Sequence, residues 1–271
     1  IFARCIAGRK GFPAYHSPQA KSLSGSTLIF KKTMRHLQLV LFILFSGCAI
    51  ALQAQAIDST LIEVQIEGIP AGKTRLVGVY GDRNYIADSA VVDASGRFEV
   101  RRKNLLPAGF YTFLLPGGNK NFSILIDKDQ RFFLRANASD IGGTMQVMGS
   151  VNTALFYDNY RFQAKQDPEL NQVAEVMRSK PESSPEFQKA KERQTQILNE
   201  RKTALEEIYK NNPDAFFTTF KKAGQNPDLT YPRKANGDID TIRQLMHYRG
   251  HFWDNVDFND TRLLYTPVIG N

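Results

Sequence analysis

Residues 88–101 read DSAVVDASGRFEVR, and the fold turns on how they are read. Phe98 and Val100 alternate with Arg97, Glu99 and Arg101, the two-residue period of a strand that buries one face and wets the other. Asp93-Ala94-Ser95-Gly96 in front of them is turn chemistry: a short acceptor side chain, then a residue free to adopt positive φ. Working outward, Ile62, Val64 and Ile66 alternate with Glu63, Gln65 and Glu67, and Phe132 and Leu134 alternate with Arg131 and Arg135. Breaks fall at residues 69–72, 116–118 and 127–129. Seven or eight short strands from Leu61 to about Met148, with no helix between them, predict an antiparallel β-sandwich or barrel over residues 57–149. Gly117-Gly118 and Gly142-Gly143 read as turns, since neither opens a helix within a βαβ unit.

After Gly149 the period lengthens. Leu155, Phe156, Val173, Val176 and Met177 lie in one helical stretch; Phe187, Ala190, Ile197, Leu198, Leu205 and Ile208 recur at three- and four-residue spacing in a second, from Pro185 to Tyr209. Pro185 suits a first helical turn and Asn211-Asn212-Pro213 a stop. Residues 228–238 read as a loop before a last helix near Asp240 to Trp253. The fold class is therefore α+β in two parts: strands, then an all-α region over residues 150–271.

Charge points away from nucleic acid. The chain carries 35 Lys+Arg against 27 Asp+Glu, but residues 1–56 hold seven of the basic residues and no acid. Residues 57–271 are close to balanced, with no field to attract a polyanion. The front end has the form of an export signal. Met34 and Arg35 begin a basic region, Leu39–Leu52 is apolar, and Ala54-Gln55-Ala56 is a small-x-small cleavage pattern, so residues 34–56 are expected to be a cleaved signal peptide. Residues 1–33 are read as an extension upstream of the true start. A competing route uses Phe45-Ser46-Gly47-Cys48, which resembles a lipobox and would leave a lipid on Cys48. The signal peptide or that anchor is the one expected contact with membrane. Cys5 and Cys48 are the only cysteines, so residues 57–271 cannot form a disulfide or carry out thiol chemistry by themselves.

Residues 247–260, HYRGHFWDNVDFND, concentrate what chemistry the chain offers. On a helix His247, His251 and Asp254 fall within roughly 60° of one another, the spacing a metal site would use. Two histidines and one carboxylate are an incomplete set, and no other His or Cys lies beyond Ala56. Leu245, Tyr248 and Phe252 form an apolar stripe on the same wheel, and Trp253 at its end is expected in the core. No metal, cofactor or catalytic residue is assigned. Asp254, Asp257 and Asp260 are expected to cap helix ends and hold Arg262.

Asp88 to Glu99, with Gly96 and Phe98, resembles a hairpin of the β-rich domain of unknown function at the N-terminus of many Bacteroidota envelope thioredoxin-family proteins. Gly149-Ser150-Val151-Asn152, then Phe156 and Tyr160, is similar to the junction where that domain passes to its helices. His251-Phe252-Trp253-Asp254-Asn255-Val256-Asp257-Phe258, followed by Asp260 and Arg262-Leu263-Leu264, resembles the helical domain after it. The resemblance implies a periplasmic protein of a Gram-negative bacterium, a redox domain with Cys-x-x-Cys beyond Asn271, and envelope protein substrates or a second copy as partners. On that reading the helical domain is incomplete, Leu263, Leu264, Val268 and Ile269 lack cover, and the isolated chain dissolves poorly. The rival expectation is a self-contained binding module that holds a glycan or peptide on Tyr80, Tyr85, Phe110 and Tyr111.

Overall fold

The computed structural model describes residues 59–227 and 230–270. The signal peptide and Cys48 lie outside them. Eight strands form two four-stranded sheets. The first has the order β4 (Arg97–Arg102), β1 (Thr60–Glu67), β7 (Arg131–Asn137), β8 (Gln146–Met148). The second has the order β3 (Arg83–Val92), β2 (Gly72–Tyr80), β5 (Gly109–Leu114), β6 (Asn121–Ile126).

The inward residues of the two sheets make one core. Ile62, Val64 and Ile66 of β1 and Leu134 of β7 meet Leu76, Phe113 and Ile124 of the opposite sheet. Phe98 packs edge-on against Phe113 at 5.4 Å between centroids, and Phe113 stacks on Phe122 at 4.9 Å. The architecture is a sandwich, and the sheets do not join into a barrel among the described residues. The pairings are antiparallel with one exception: β1 pairs with β7 in parallel, Leu61 opposite Arg131 through Glu67 opposite Asn137, the chain having crossed to the second sheet and back twice between these two strands.

The turn at Asp93–Gly96 is the corner where the chain crosses from one sheet to the other. Asp93 Oδ1 accepts from the Ser95 and Arg97 N–H groups at 2.8 and 2.9 Å. Those bonds, Arg97's first, hold the Asp93 carboxyl below its usual range. Gly96 has φ +77°, and its carbonyl accepts from Ile66 N–H at 2.9 Å, tying the corner to β1. A second tie is buried. The Gln130 amide accepts from Leu106 N–H and donates to Leu106 O, both at 2.8 Å, so a polar side chain of 3% exposure leaves nothing unpaired.

Gly142-Gly143, expected as a turn, lies in a single-turn helix, α1 (Ile141–Thr144), capped by Asp140. The strands then give way to helix at Gly149, whose φ of +94° and close approach to Arg131 O require glycine. Ser150 caps α2 (Val151–Ser179), and Ser184 with Pro185 opens α3 (Pro185–Asn211). These long helices run antiparallel, laced by Arg193–Glu169 and Arg201–Asp167 ion pairs. The base of α2 is anchored on the sandwich: Tyr157 donates to Ser123 O at 2.8 Å and Thr153 to Leu125 O at 2.9 Å. Two more helices follow, α4 (Phe216–Ala223) and α5 (Thr241–His251), then a 3-10 turn (Thr261–Tyr265) and a last short helix, α6 (Pro267–Gly270).

Residues 57–271 form one compact unit. A second core makes it so: Leu125 of β6, Phe216 and Phe217 of α4 and Leu263 of the 3-10 turn are buried together, with Phe110, Phe156 and Phe220 packed around them. Leu263, expected to lack cover, is 1% exposed because α4 supplies it; Val268 and Ile269 also pack on this cluster, and Leu264 remains outside it. No described helix is long and apolar enough to cross a membrane.

Candidate functional site

Several residues singled out in the sequence turn out to fasten helix to sheet. α4 begins at Ala215, which has no capping side chain. Asn152, 6% exposed on the first turn of α2, caps it from outside: its Oδ1 accepts from Phe217 N–H at 2.9 Å. A helix start left without a partner in a buried position would be costly, so this one contact orients α4 against α2. Asp88 on β3 pairs with Arg102 of β4 at 3.2 Å across the two sheets.

Asp260 caps the 3-10 turn, accepting from Arg262 N–H at 3.1 Å, and its carboxylate also accepts from the Arg262 guanidinium. The same guanidinium reaches Asp127 at 3.2 Å and lies 4.7 Å over the Phe216 ring. Arg262's hydrogen bonds hold the Asp260 carboxyl below its usual range, while Asp260 pushes the guanidinium up. Arg262→Ala is expected to cost about 2 kcal/mol at neutral pH, because two carboxylates that are largely sheltered lose their partner. Asp260 has a depressed folded pKa, so its contribution is present above the ordinary carboxylate range and is lost as pH falls through the folded value. Urea midpoints of wild type and variant should therefore differ clearly at pH 7 and draw together as pH falls below the ordinary carboxylate range. A constant gap would show that the loss comes from the Phe216 contact and not from the ion pairs.

The helix near residues 240–253 does form, with Asp240 as its cap. It brings His247, His251 and Asp254 side by side. His251 Nδ1 is 2.6 Å from Asp254 Oδ2, but His247 meets His251 ring edge to face at 4.5 Å between centroids. Their nitrogens do not converge on a point. Among the described residues no group of three or more His, Cys, Asp or Glu is gathered to hold a metal ion. Asp257 is occupied locally, accepting from Asn259 N–H at 2.9 Å.

Of the expected stripe Leu245, Tyr248 and Phe252, the last two are partly buried and the first is exposed. Tyr248 turns inward, its hydroxyl 3.0 Å from Asn226 Oδ1, and Phe252 lines a cleft with Phe220, Lys221 and Val268. Burial pushes the Lys221 ammonium below its ordinary range. Leu245, one end of that expected stripe, stays open to solvent. With Ile242 and Met246 it makes an outward stripe, these residues being 63, 50 and 68% exposed in the order Ile242, Leu245, Met246, while Trp253, in the turn beyond the helix, is 40% exposed and lines the cleft beside Phe252. Trp253 is thus not in the core; its ring contacts Phe258, itself 67% exposed, at 5.7 Å. No residue of α5 is buried.

Three of the four aromatics that the rival reading places in a ligand site are packed in or against the cores. Tyr111 is 1% exposed inside the sandwich, where burial pushes its hydroxyl well above the ordinary tyrosine range. Phe110, on the opposite face of the same strand, is covered by Phe156 and Phe220. Tyr85 bonds to the Tyr111 hydroxyl at 3.2 Å. Only Tyr80 projects outward, 5.1 Å from Tyr265 at the mouth of a cleft shared with Arg83, Asn84 and Arg102.

Comparison with family models, with curated proteins and with solved structures finds no match to this chain. Two outward features among the described residues, the α5 stripe and the Tyr80–Tyr265 cleft, are read from their own chemistry. Sequence reasoning missed α4 and its core role, although Phe216, Phe217 and Phe220 followed by Gly224 carry the spacing and the stop of a short amphipathic helix.

Proposed function

We infer that residues 57–271 act as the non-catalytic accessory region of an exported thioredoxin-family thiol:disulfide exchange protein. The sandwich is a rigid base, and the helices fixed to it present a surface that positions a redox domain, pairs copies or selects substrate proteins. The observation that carries this reading is the outward apolar stripe of α5, on a part of the chain without cysteine. Contiguous exposed apolar side chains of this size mark a place where another protein surface sits. Three family-like segments support the thioredoxin context: the Asp88–Glu99 corner, the Gly149–Asn152 junction and the His251–Arg262 stretch. The Leu39–Leu52 run and Ala54-Gln55-Ala56 support export to the periplasm. The expected partners are thus a redox domain, envelope protein substrates or a second copy.

Sequencing the gene through and beyond codon 271 tests the assignment. An in-frame thioredoxin-like segment with Cys-x-x-Cys is the expected result; a stop codon directly after Asn271 would overturn it. That second outcome would favour the self-contained binding module, for which the Tyr80–Tyr265 cleft with its two arginines is the supporting observation. Glycan and peptide arrays would then be the next experiment.

A further inference from the structure

We propose that the cleft where α4, the end of α5 and α6 meet binds a small aromatic carboxylate, with Lys221 as the cation that holds the acid group. This goes beyond the redox assignment and does not rest on it. The cleft holds about 360 Å³, at the small end of the range for ligand sites. Phe252, Trp253 and Val268 supply apolar wall, Gln225 and Asn226 supply amides, and Lys221 supplies charge. Apolar walls with a few polar groups are how small-molecule sites are built.

The charge is the first argument. Two adjacent lysines stand in the last turn of α4, and their surroundings differ. Lys222 reaches over the Tyr209 ring, 5.1 Å from its centroid. Lys221 is sheltered, and no carboxylate among the described residues pairs with it; burial is the influence that moves its ammonium, downward. A sheltered cation without a counter-charge gains most when an anion arrives. The carbonyl end of α4 favours both lysines and opposes an anion. That opposition is the weaker effect, because the Gly224 and Gln225 N–H groups already donate to the Phe220 and Lys222 carbonyls at 3.1 and 3.0 Å.

The walls decide the body of the ligand. Phe252 and Trp253 meet edge to face, with ring centroids 4.7 Å apart and planes at 87°, so together they form a right-angled corner. Such a corner offers a third ring one face and one edge, the two arrangements that aromatic pairs prefer. Among the described residues no acid lines the cleft, so nothing in its lining competes for the ammonium or repels a carboxylate. The small volume selects a single ring with a short acid arm over a longer chain.

The probe is 3-phenylpropionate, with uncharged 3-phenylpropanamide as its control. Each is titrated into the full chain and followed by calorimetry and by the fluorescence of Trp253, the chain's single tryptophan. The acid is expected to bind with a Kd on the order of 0.1–1 mM and the amide at least ~10-fold more weakly, the discrimination that one hydrogen bond to a charged group provides. This comparison is made on wild type and needs no variant to fold. Lys221→Met keeps the apolar stem and removes an unpaired sheltered charge, so it should melt no lower than wild type and bind acid and amide alike. Acetyl-Ala-Ala-Phe, with the same ring and carboxylate on a longer body, should bind more weakly than the acid. No binding of the acid up to about 10 mM, equal affinities of acid and amide for wild type, or an acid affinity unchanged in folded Lys221→Met would each overturn the proposal. Tighter binding of the peptide would overturn it too, and would assign the cleft to a chain terminus.

Discussion

Phe217→Ala is expected to remove about 3–5 kcal/mol of stability, a large part of what a folded unit of this kind possesses. Phe217 has no exposed surface, and its neighbours Leu125, Phe216 and Leu263 come from a strand, a helix and the 3-10 turn. Removing its ring leaves a cavity that none of the three elements can close alone. Sheet and backbone fix Leu125, Asn152 holds the Phe217 N–H, and Arg262 pins the 3-10 turn to Asp127. Urea unfolding should be followed by far-ultraviolet circular dichroism and by Trp253 fluorescence. Both probes are expected to shift to a lower midpoint together, because the second core couples the sandwich to the helices. A tryptophan transition that moves alone would show that the C-terminal elements melt independently of the sandwich.

That coupling was hidden in the sequence, and the reason is physical. Period-2 alternation in β1, β4 and β7 makes the inward residues legible one by one, and their burial follows it. Alternation does not say in which direction strands pair, so the parallel β1–β7 ladder could not be read. In β5 it also misleads about function: Phe110 and Tyr111 point to opposite faces, yet both faces are covered, one by the opposing sheet and one by α2 and α4. A strand with two covered faces offers its aromatics to packing, not to a ligand. α5 fails differently. Ile242, Leu245, Met246, Tyr248, Phe252 and Trp253 span roughly 160° of the wheel, wider than one contact face, so the pattern alone does not say which part of that arc is covered. The Tyr248–Asn226 contact and the cleft around Phe252 make the selection, and they depend on where α4 lies. The glycines were the most transferable signals: Gly96 and Gly149 both stand where the backbone takes positive φ.

Gly96→Ala is the other substitution expected to cost most, about 4 kcal/mol, and it can be divided into causes by an internal control. A left-handed conformation costs an alanine roughly 1–2 kcal/mol wherever it occurs. Gly237, at φ +88°, has nothing within 4 Å of an added Cβ, so Gly237→Ala should show that cost alone. At Gly96, with φ +77°, the same Cβ would lie 2.0 Å from the Ile66 carbonyl oxygen. Backbone must move to admit it, and the residue that must move is the one whose N–H bonds to Gly96 O. β1 is a central strand of its sheet, paired on both sides, so the displacement cannot be absorbed at an edge. Thermal or urea melts of the two variants should therefore separate by about 2 kcal/mol or more. Equal losses would mean that the corner yields and that its conformation, rather than its close approach to β1, is what requires glycine. The expected inequality would make the Asp93–Gly96 corner the clamp that holds the crossing between sheets against the strand at their centre.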